Sequence, residues 1–199
     1  PVTALLDALR TDGWDLAGIH GRLRGLRDAL VGAEAWLPAA VLAAVAVAHP
    51  TARLVVDTGD HCTVAEHVWL ATDPAGFLGA GASRWMGTGL ATGLGAALHD
   101  PDRPTVVAVG DGGIGPAFGE LTLAVERRLP LLVLVHDDGG FASIRGRARA
   151  QGLRTGPLEH PPRGWARAAE GLGLHAAPSP FATPAASAAW SMRLCTAGD

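Results

Sequence analysis

Two glycine-rich segments that carry acidic residues offer the clearest chemistry in the sequence. Residues 110–113 read Gly-Asp-Gly-Gly, and residues 137–140 read Asp-Asp-Gly-Gly. Carboxylate oxygens suit a hard cation such as Mg²⁺, which commonly takes one or two carboxylates together with phosphate and water oxygens. Glycines leave backbone N–H groups free to approach phosphate oxygens. These segments therefore predict a site for a metal ion and a diphosphate group.

Each acidic segment directly follows a short apolar run. Residues 105–109 and 131–135 read as buried strands, and a helix is predicted between them. A strand, a helix and a strand in this order form a βαβ unit, whose two strands are parallel and covered on both faces. Parallel strands place their carboxyl ends at one edge of the sheet, where open α/β sheets bind ligands. Asp111 and Asp138 are therefore expected to converge on one ion.

Three motifs in a fixed order resemble those of thiamine diphosphate enzymes of the acetolactate synthase and pyruvate decarboxylase type. The Gly-Asp-Gly at 110–112, followed by the acidic pair at 137–138, resembles the cofactor motif of that family. LVVDTGDH at 54–61 resembles its strand and DxGxH turn, and RWMGTGLATGLGAAL at 84–98 resembles its GxMGxGLPAAIGA helix. The resemblance implies a three-layer α/β/α sandwich with a central, mainly parallel sheet, the thiamine diphosphate-binding fold.

The resemblance also implies the cofactors and the residues that hold them. Thiamine diphosphate and Mg²⁺ are the implied cofactors, with Asp111 and Asp138 as side-chain ligands of the metal and Gly140 as a ligand through its carbonyl oxygen. Met86 matches the apolar residue that supports the bent cofactor, and the carbonyl of Arg84 matches the acceptor of its amino group. The implied cofactor-binding residues are Gly59, Asp60, His61, Arg84, Met86, Gly110, Asp111, Gly112, Gly113, Asp138, Gly140, Phe141, Ala142, Ser143 and Ile144.

Several positions depart from the pattern of the family. Arg84 replaces the usual glycine, Gly113 replaces a common serine, and Asp138 replaces the usual asparagine. An aliphatic residue at Ile144 is more like the carboligating members, although the Gln-Trp-Gln pattern of acetolactate synthases is absent. The additional carboxylate at 138 attracts a cation and repels a diphosphate group. Cofactor binding is therefore expected to depend steeply on divalent metal.

The function implied by the resemblance is that of a diphosphate-binding module in a 2-oxo acid decarboxylase or carboligase, a lyase or transferase. No residue of this chain is assigned a catalytic role, because the activating glutamate belongs to a separate pyrimidine-binding domain of the parent protein or of another subunit. The isolated chain is expected to be inactive, and the intact protein to be a homo-oligomer such as a dimer. A non-catalytic binding or assembly domain that retains the fold is the alternative. A different nucleotide-binding α/β protein is disfavoured, because the sequence has no P-loop and no G-x-G-x-x-G after a first strand.

Composition and charge limit the class of protein. The chain has 199 residues, of which 48% are hydrophobic and 18% charged, as in one globular α/β domain. The sequence shows no membrane-spanning stretch and no signal peptide. A net charge of −3, with no aromatic residues among the arginines at 145–154, argues against nucleic-acid binding. Cys62 and Cys195 lack a metal-binding spacing and indicate a reducing, cytoplasmic setting without a disulfide.

The chain is expected to begin inside a longer parent protein. Residues 1–32 read as two amphipathic helices that form the tail of a preceding domain or a linker, with an ordinary helical extension as the alternative. Residues 33–199 are expected to form the thiamine diphosphate-binding domain, cut short at its C-terminus before a last strand. Further helices are predicted at 33–49, 87–98, 165–172 and 183–194, and loops at 69–83 and 151–163.

Overall fold

A computed structural model describes residues 15–32, 38–79, 85–161, 163–178 and 189–193. Its α-helices are α1 (Leu16–Gly32), α2 (Pro38–Ala48), α3 (Asp60–Val68), α4 (Thr88–His99), α5 (Asp111–Ala117), α6 (Leu121–Arg127), α7 (Ala142–Ala150) and α8 (Trp165–Gly171). Its strands are β1 (Arg53–Val56), β2 (Phe77–Leu78), β3 (Thr105–Gly110), β4 (Leu131–His136), β5 (His175–Pro178) and β6 (Ala189–Arg193). Short 3₁₀ turns lie at Pro74–Gly76, Phe118–Glu120 and Gly156–Leu158.

The strands form one mixed sheet in the order β2-β1-β3-β4-β6-β5. Strands β2, β1, β3 and β4 run parallel to one another. Strand β6 is antiparallel to both β4 and β5. The register pairs Val56 with Ala108 and Gly110 with His136. The carboxyl ends of β1, β3 and β4 therefore lie side by side, as the βαβ pattern predicts.

Alternate residues of the strands pack into two hydrophobic cores on opposite faces of the sheet. Leu54 and Val56 of β1 pack with α2 and α3 in one core. Val55, between them, packs with α4, α5, α6 and α8 in the other. Burial of each such side chain stabilises the fold by about 1.5–3 kcal/mol. The predicted three-layer α/β/α sandwich is thus confirmed, and α1 packs outside it against α2 and α3.

The predicted last helix is wrong in the part of it that the structure describes. Residues 189–193 form strand β6, which pairs with β4 and β5, and β5 itself was not predicted. Pairing with β4 and β5 outweighs the helix propensity of Ala189, Met192 and Arg193. The sheet therefore continues beyond β4 within this chain through β6 and β5. The expected truncation at the C-terminus stays a prediction.

Two further predictions need correction or fall outside the described residues. The loop predicted at 69–83 contains a 3₁₀ turn and strand β2, which extends the sheet beside β1. The first of the two amphipathic helices predicted within residues 1–32 lies outside the described residues, and the second lies within α1. Among the residues described, no helix is both long and apolar enough to cross a membrane.

The glycine-rich segment at 110–113 begins helix α5. Asp111 lies in the first turn, where its carboxylate meets the positive end of the helix dipole. Pro116 lies inside the helix and has no N–H to donate, and the chain tightens into the 3₁₀ turn that starts at Phe118. Tertiary packing therefore overrides the low helix propensity of glycine here.

Two glycines of α4 allow a direct test of sheet packing. A Cβ atom at Gly93 would overlap the Val107 Cγ2 methyl of β3, whereas a Cβ atom at Gly95 would meet nothing within 4 Å. We expect Gly93→Ala to destabilise the fold by roughly 1–3 kcal/mol through overpacking. Gly95→Ala should instead stabilise it by roughly 0.5–1 kcal/mol, because it removes an interior helix glycine. Urea unfolding measures both, and equal effects of the two substitutions would contradict the packing described.

Candidate cofactor site

A cavity of about 610 Å³ opens where β1, β3 and β4 end. Helices α3, α5 and α7 all begin with residues that line this cavity, so their free N–H groups and positive dipole ends lie beside it. All the cofactor-binding residues expected from the sequence line the cavity except Arg84, which lies outside the described residues. They are Gly59, Asp60, His61, Met86, Gly110, Asp111, Gly112, Gly113, Asp138, Gly140, Phe141, Ala142, Ser143 and Ile144. Their binding role stays a prediction.

The buried carboxylate of Asp111 connects the ends of β3 and β4. Its Oδ1 accepts the N–H of Gly112 at 2.8 Å, and its Oδ2 accepts the N–H groups of Gly139 and Gly140, each at 3.0 Å. Gly139 and Gly140 have φ values of 75° and 155°, which strain any residue that carries a side chain. The loop that carries Asp138 is therefore held directly against Asp111.

A second buried carboxylate, that of Asp57, holds the entry to helix α4 against β1. Its side chain accepts the N–H of Gly87 at 2.8 Å and that of Gly89 at 3.1 Å. The same carboxylate lies against Gly113, where an added Cβ would overlap Asp57 Oδ2. Gly113 replaces a serine that is common in the family, so it lacks a hydroxyl that could contact the diphosphate group. The structure shows that the Asp57 side chain leaves no room for a side chain at this position.

The cavity wall is crowded with acidic groups. Burial, followed by a hydrogen bond with Asp111, raises the pKa of Asp137. Burial also raises the pKa of Asp138, against the opposing effect of Arg145, whose Nη2 lies 3.5 Å from Asp138 Oδ1. Asp60, at the start of α3, adds a further negative charge that acts on Asp138. Four acids on one cavity favour a bound cation and disfavour a diphosphate group that arrives without one.

Two histidines stack beside these acids. The rings of His61 and His136 lie 5.2 Å apart between centroids, at an interplanar angle of 17°. Burial lowers the pKa of His61, and burial together with the neighbouring His61 lowers the pKa of His136 to about 3. Both rings are therefore neutral at pH 7. Their Nε2 atoms are buried and have no hydrogen-bond partner among the described residues, and the same is true of the hydroxyl of Thr58.

Sequence reasoning missed His136 and a third histidine, His160. His136 is the last residue of β4, and its place at a strand carboxyl end was the signal that could have identified it. His160 comes from the long loop after α7, and its Nε2 lies 3.1 Å from Asp111 Oδ2 in a geometry that does not form a hydrogen bond. The backbone N–H of His160 donates to the carbonyl of Gly139 at 3.0 Å. Nothing local in the sequence places this loop over the cavity.

The residues present fit a metal that is shared with a diphosphate group. Among the described residues, no three His, Cys, Asp or Glu side chains are arranged to hold a metal ion by themselves. Asp111 Oδ1 accepts one backbone hydrogen bond, that of Gly112. A cation here would need further oxygens from a ligand, and a diphosphate group supplies them. The unpartnered polar atoms of Thr58, His61 and His136 leave donors and acceptors for the same ligand.

Comparison with known proteins identifies the family. A family profile described as "Thiamine pyrophosphate enzyme, C-terminal TPP binding domain" matches residues 57–193. The chain belongs to this family. The match begins directly after β1 and ends with the last residue of β6. It contains all the expected cofactor-binding residues that line the cavity. The thiamine diphosphate enzyme resemblance expected from the sequence is thereby confirmed.

Related thiamine pyrophosphate enzymes include lyases and decarboxylases. The chain is 35% identical over 91 residues to human 2-hydroxyacyl-CoA lyase 2, a match that covers 46% of this chain and 14% of that protein. It is 33% identical over 147 residues to a protein named probable 2-ketoarginine decarboxylase AruI from Pseudomonas aeruginosa, covering 71% of this chain and 26% of that protein. The matched region is therefore a minor part of these relatives' length.

Solved structures support the same fold. A thiamine diphosphate-dependent 4-hydroxybenzoylformate decarboxylase from Rhodococcus jostii superposes with a TM-score of 0.63 at 24% identity, over 69% of this chain and 26% of that one. A benzoylformate decarboxylase from Polynucleobacter necessarius superposes with a TM-score of 0.60 at 20% identity, over 67% of this chain and 26% of that one. At these identities the likeness establishes the fold of the thiamine pyrophosphate enzymes.

The hydrogen bonds of Asp57 can be tested by a substitution that keeps its shape. In Asp57→Asn, the side-chain amide cannot accept both the Gly87 and the Gly89 N–H groups, so one buried donor loses its acceptor. We expect a loss of roughly 1–3 kcal/mol in the free energy of unfolding. Asp102→Asn, at an exposed turn, makes the same charge change and should stay within about 0.5 kcal/mol. Equal stability of both variants in urea unfolding would show that Asp57 does not hold this junction.

The lowered pKa values of His61 and His136 predict a pH dependence of stability in metal-free buffer. Below their ordinary value of 6.5, the unfolded chain binds protons that the folded chain does not, so stability falls as pH falls. Each histidine contributes a slope of up to about 1.4 kcal/mol per pH unit. We expect His136→Gln to reduce the slope between pH 6 and 5, measured by urea unfolding. The exposed His20→Gln on α1 is the control, and equal slopes in both variants would contradict the description.

Proposed function

We propose that this chain is the diphosphate- and Mg²⁺-binding module of a thiamine diphosphate-dependent 2-oxo acid decarboxylase or carboligase, similar to acetolactate synthase. The observation that carries the proposal is that acids and glycines of three separate motifs line one cavity at the ends of β1, β3 and β4. The family to which the chain belongs supports thiamine diphosphate as the ligand. The acidic cavity wall supports a divalent cation as its partner.

In this proposal each wall of the cavity has a distinct task. Asp111, Asp138 and the carbonyl of Gly140 would hold Mg²⁺, and the N-termini of α3 and α7 would face the diphosphate group. Met86, which is 46% exposed at the cavity, would support the organic part of the cofactor. Thiamine diphosphate, when bound, supplies an electron sink for breaking a carbon–carbon bond beside a carbonyl group. The residues of this chain bind the cofactor, orient it and exclude water.

Turnover is proposed to need a separate pyrimidine-binding domain that supplies the activating glutamate. The matched regions cover only 14–26% of the length of the two relatives described above, which supports a larger working protein. That domain would come from the parent protein or from another subunit of a homo-oligomer such as a dimer. A transferase activity and a cytoplasmic location belong to the same proposal.

A non-catalytic binding or assembly domain is the second candidate. The observation in its favour is the ion pair between Arg145 and Asp138. Asp138 is a proposed metal ligand, and in this ion pair a cation of the chain itself competes with the metal for its carboxylate. This candidate predicts weak, metal-independent cofactor binding, or tight binding without any turnover.

Calorimetric titration with thiamine diphosphate, with and without Mg²⁺, tests the proposed function. We expect binding that requires the metal, and decarboxylation of a 2-oxo acid only after a pyrimidine-binding domain of a relative is added. Metal-dependent binding without turnover in the reconstituted mixture would favour the non-catalytic candidate. Absence of cofactor binding at millimolar Mg²⁺ would refute the proposed cofactor module and leave only an assembly domain that retains the fold.

The charge of Asp138 predicts how steeply cofactor binding depends on metal. In Asp138→Asn the wall loses a negative charge that repels the diphosphate group when no metal is bound. We expect the variant to bind thiamine diphosphate better than the native chain at low Mg²⁺, with the gap closing as Mg²⁺ rises. Asp28→Asn, which removes an exposed acid of α1, should follow the native titration. Identical Mg²⁺ dependence in all three proteins would show that the charge of Asp138 does not affect cofactor binding.

A further inference from the structure

Helix α7 and the loop after it concentrate positive charge beside the cavity. Residues 142–158 contain Arg145, Arg147, Arg149 and Arg154 and no acidic residue, in a chain whose net charge is −3. Arg145 lies within reach of Asp138, whereas the other three are exposed. We call Arg147, Arg149 and Arg154 the arginine face. None of its three arginines lines the cofactor cavity.

Ion pairing within the chain does not account for the arginine face. Arg53 pairs with Asp100 at 2.7 Å, and Arg103 pairs with Asp73 at 2.9 Å. No such partner is found for the arginine face among the residues that the structure describes. The dipole of α7 favours cations in its last turn, which explains Arg147 and Arg149 in part. It does not explain Arg154, which lies beyond the helix.

The loop folds back so that Arg154 joins the other two arginines. The N–H of Leu153 donates to the carbonyl of Ala148 at 2.9 Å, which brings the following residue to the end of α7. At the opposite end of α7, Ala142, Ser143 and Ile144 form part of the cavity wall. Arg147 follows Ser143 by four positions and Arg149 by six, so the arginine face begins about 6 Å along the helix axis from the cavity wall and extends beyond about 9 Å.

We propose that the arginine face binds the phosphate groups of a coenzyme A thioester whose acyl end enters the cavity. This inference rests on the proposed function and names a substrate class for it. Guanidinium groups pair with phosphate oxygens through two parallel hydrogen bonds. The pantetheine arm is about as long as four extended residues, roughly 13 Å, which spans the distance from the cavity to the face. Exposed Ile144 and Leu153 offer apolar contacts along the way.

The relatives of this chain are named for substrates of opposite charge, so the charge of the arginine face bears on which kind of substrate this chain would accept. The chain resembles 2-hydroxyacyl-CoA lyases from human and rice, at 35% and 31% identity. It also resembles a protein named for 2-ketoarginine, a substrate that carries a guanidinium group. The three arginines of the arginine face, which have no acidic partner among the described residues, attract polyphosphate and repel a second guanidinium. The charge of this face therefore selects the thioester.

Binding of free coenzyme A to the full chain tests the inference by calorimetry at two salt concentrations. Pantetheine, which has the arm without phosphate groups, is the ligand control. The test variant is Arg147→Glu/Arg149→Glu, and the matched control is Arg22→Glu/Arg24→Glu, which changes the charge equally on exposed residues of α1. Circular dichroism checks that each variant is folded, and Arg154→Gln provides a milder second variant.

We expect the native chain to bind coenzyme A at least roughly tenfold more tightly than pantetheine, with affinity that falls as salt rises. The test variant should lose roughly tenfold or more in coenzyme A affinity, Arg154→Gln should lose less, and the α1 control should lose less than about twofold. Equal binding of both ligands, equal loss in the control, or tighter binding of a single-stranded oligonucleotide would overturn the inference. Thiamine diphosphate binding, measured separately, shows whether the proposed function fails on its own.

Discussion

Backbone hydrogen bonds to the buried carboxylate of Asp111 are the constraint on which the cavity depends. This side chain begins α5 at the end of β3, and it accepts N–H groups from the glycine loop that follows β4. The loop has no regular structure of its own, so its position relative to β3 is set by these bonds. Asp57, which follows β1, likewise accepts the N–H groups of Gly87 and Gly89 and so fixes the start of α4 against β1. Both acids are buried because backbone amides replace the water that a carboxylate otherwise requires.

The charges around the cavity explain why a metal and a diphosphate group would have to bind together. Acids gather at the wall, two of them with raised pKa, while the stacked histidines are held neutral. A diphosphate group alone would meet repulsion, and a cation alone would find too few ligands among the described residues. Each ligand supplies what the other lacks. This mutual dependence agrees with membership of the thiamine pyrophosphate enzymes.

The sequence predicted the central βαβ unit well because its signals are local. Uniform apolar runs at 105–109 and 131–135 mark buried parallel strands, and the acids after them mark the sheet edge. The cavity-lining set followed from motifs of the same kind. The failures arose where non-local pairing decides: β6 is a strand only because β4 and β5 flank it, and β2 only because β1 lies beside it. His160 was missed because a loop far along the chain folds over Asp111.

The position of a bound metal relative to Asp111 and Asp138 tests the central claim most directly. Crystals grown with thiamine diphosphate and Mn²⁺ in place of Mg²⁺ would locate the ion by its anomalous scattering. The account predicts one peak about 2.0–2.4 Å from a carboxylate oxygen of each residue and from an oxygen of the diphosphate group. A peak that contacts only one of the two acids, or a diphosphate group bound outside the cavity, would contradict it.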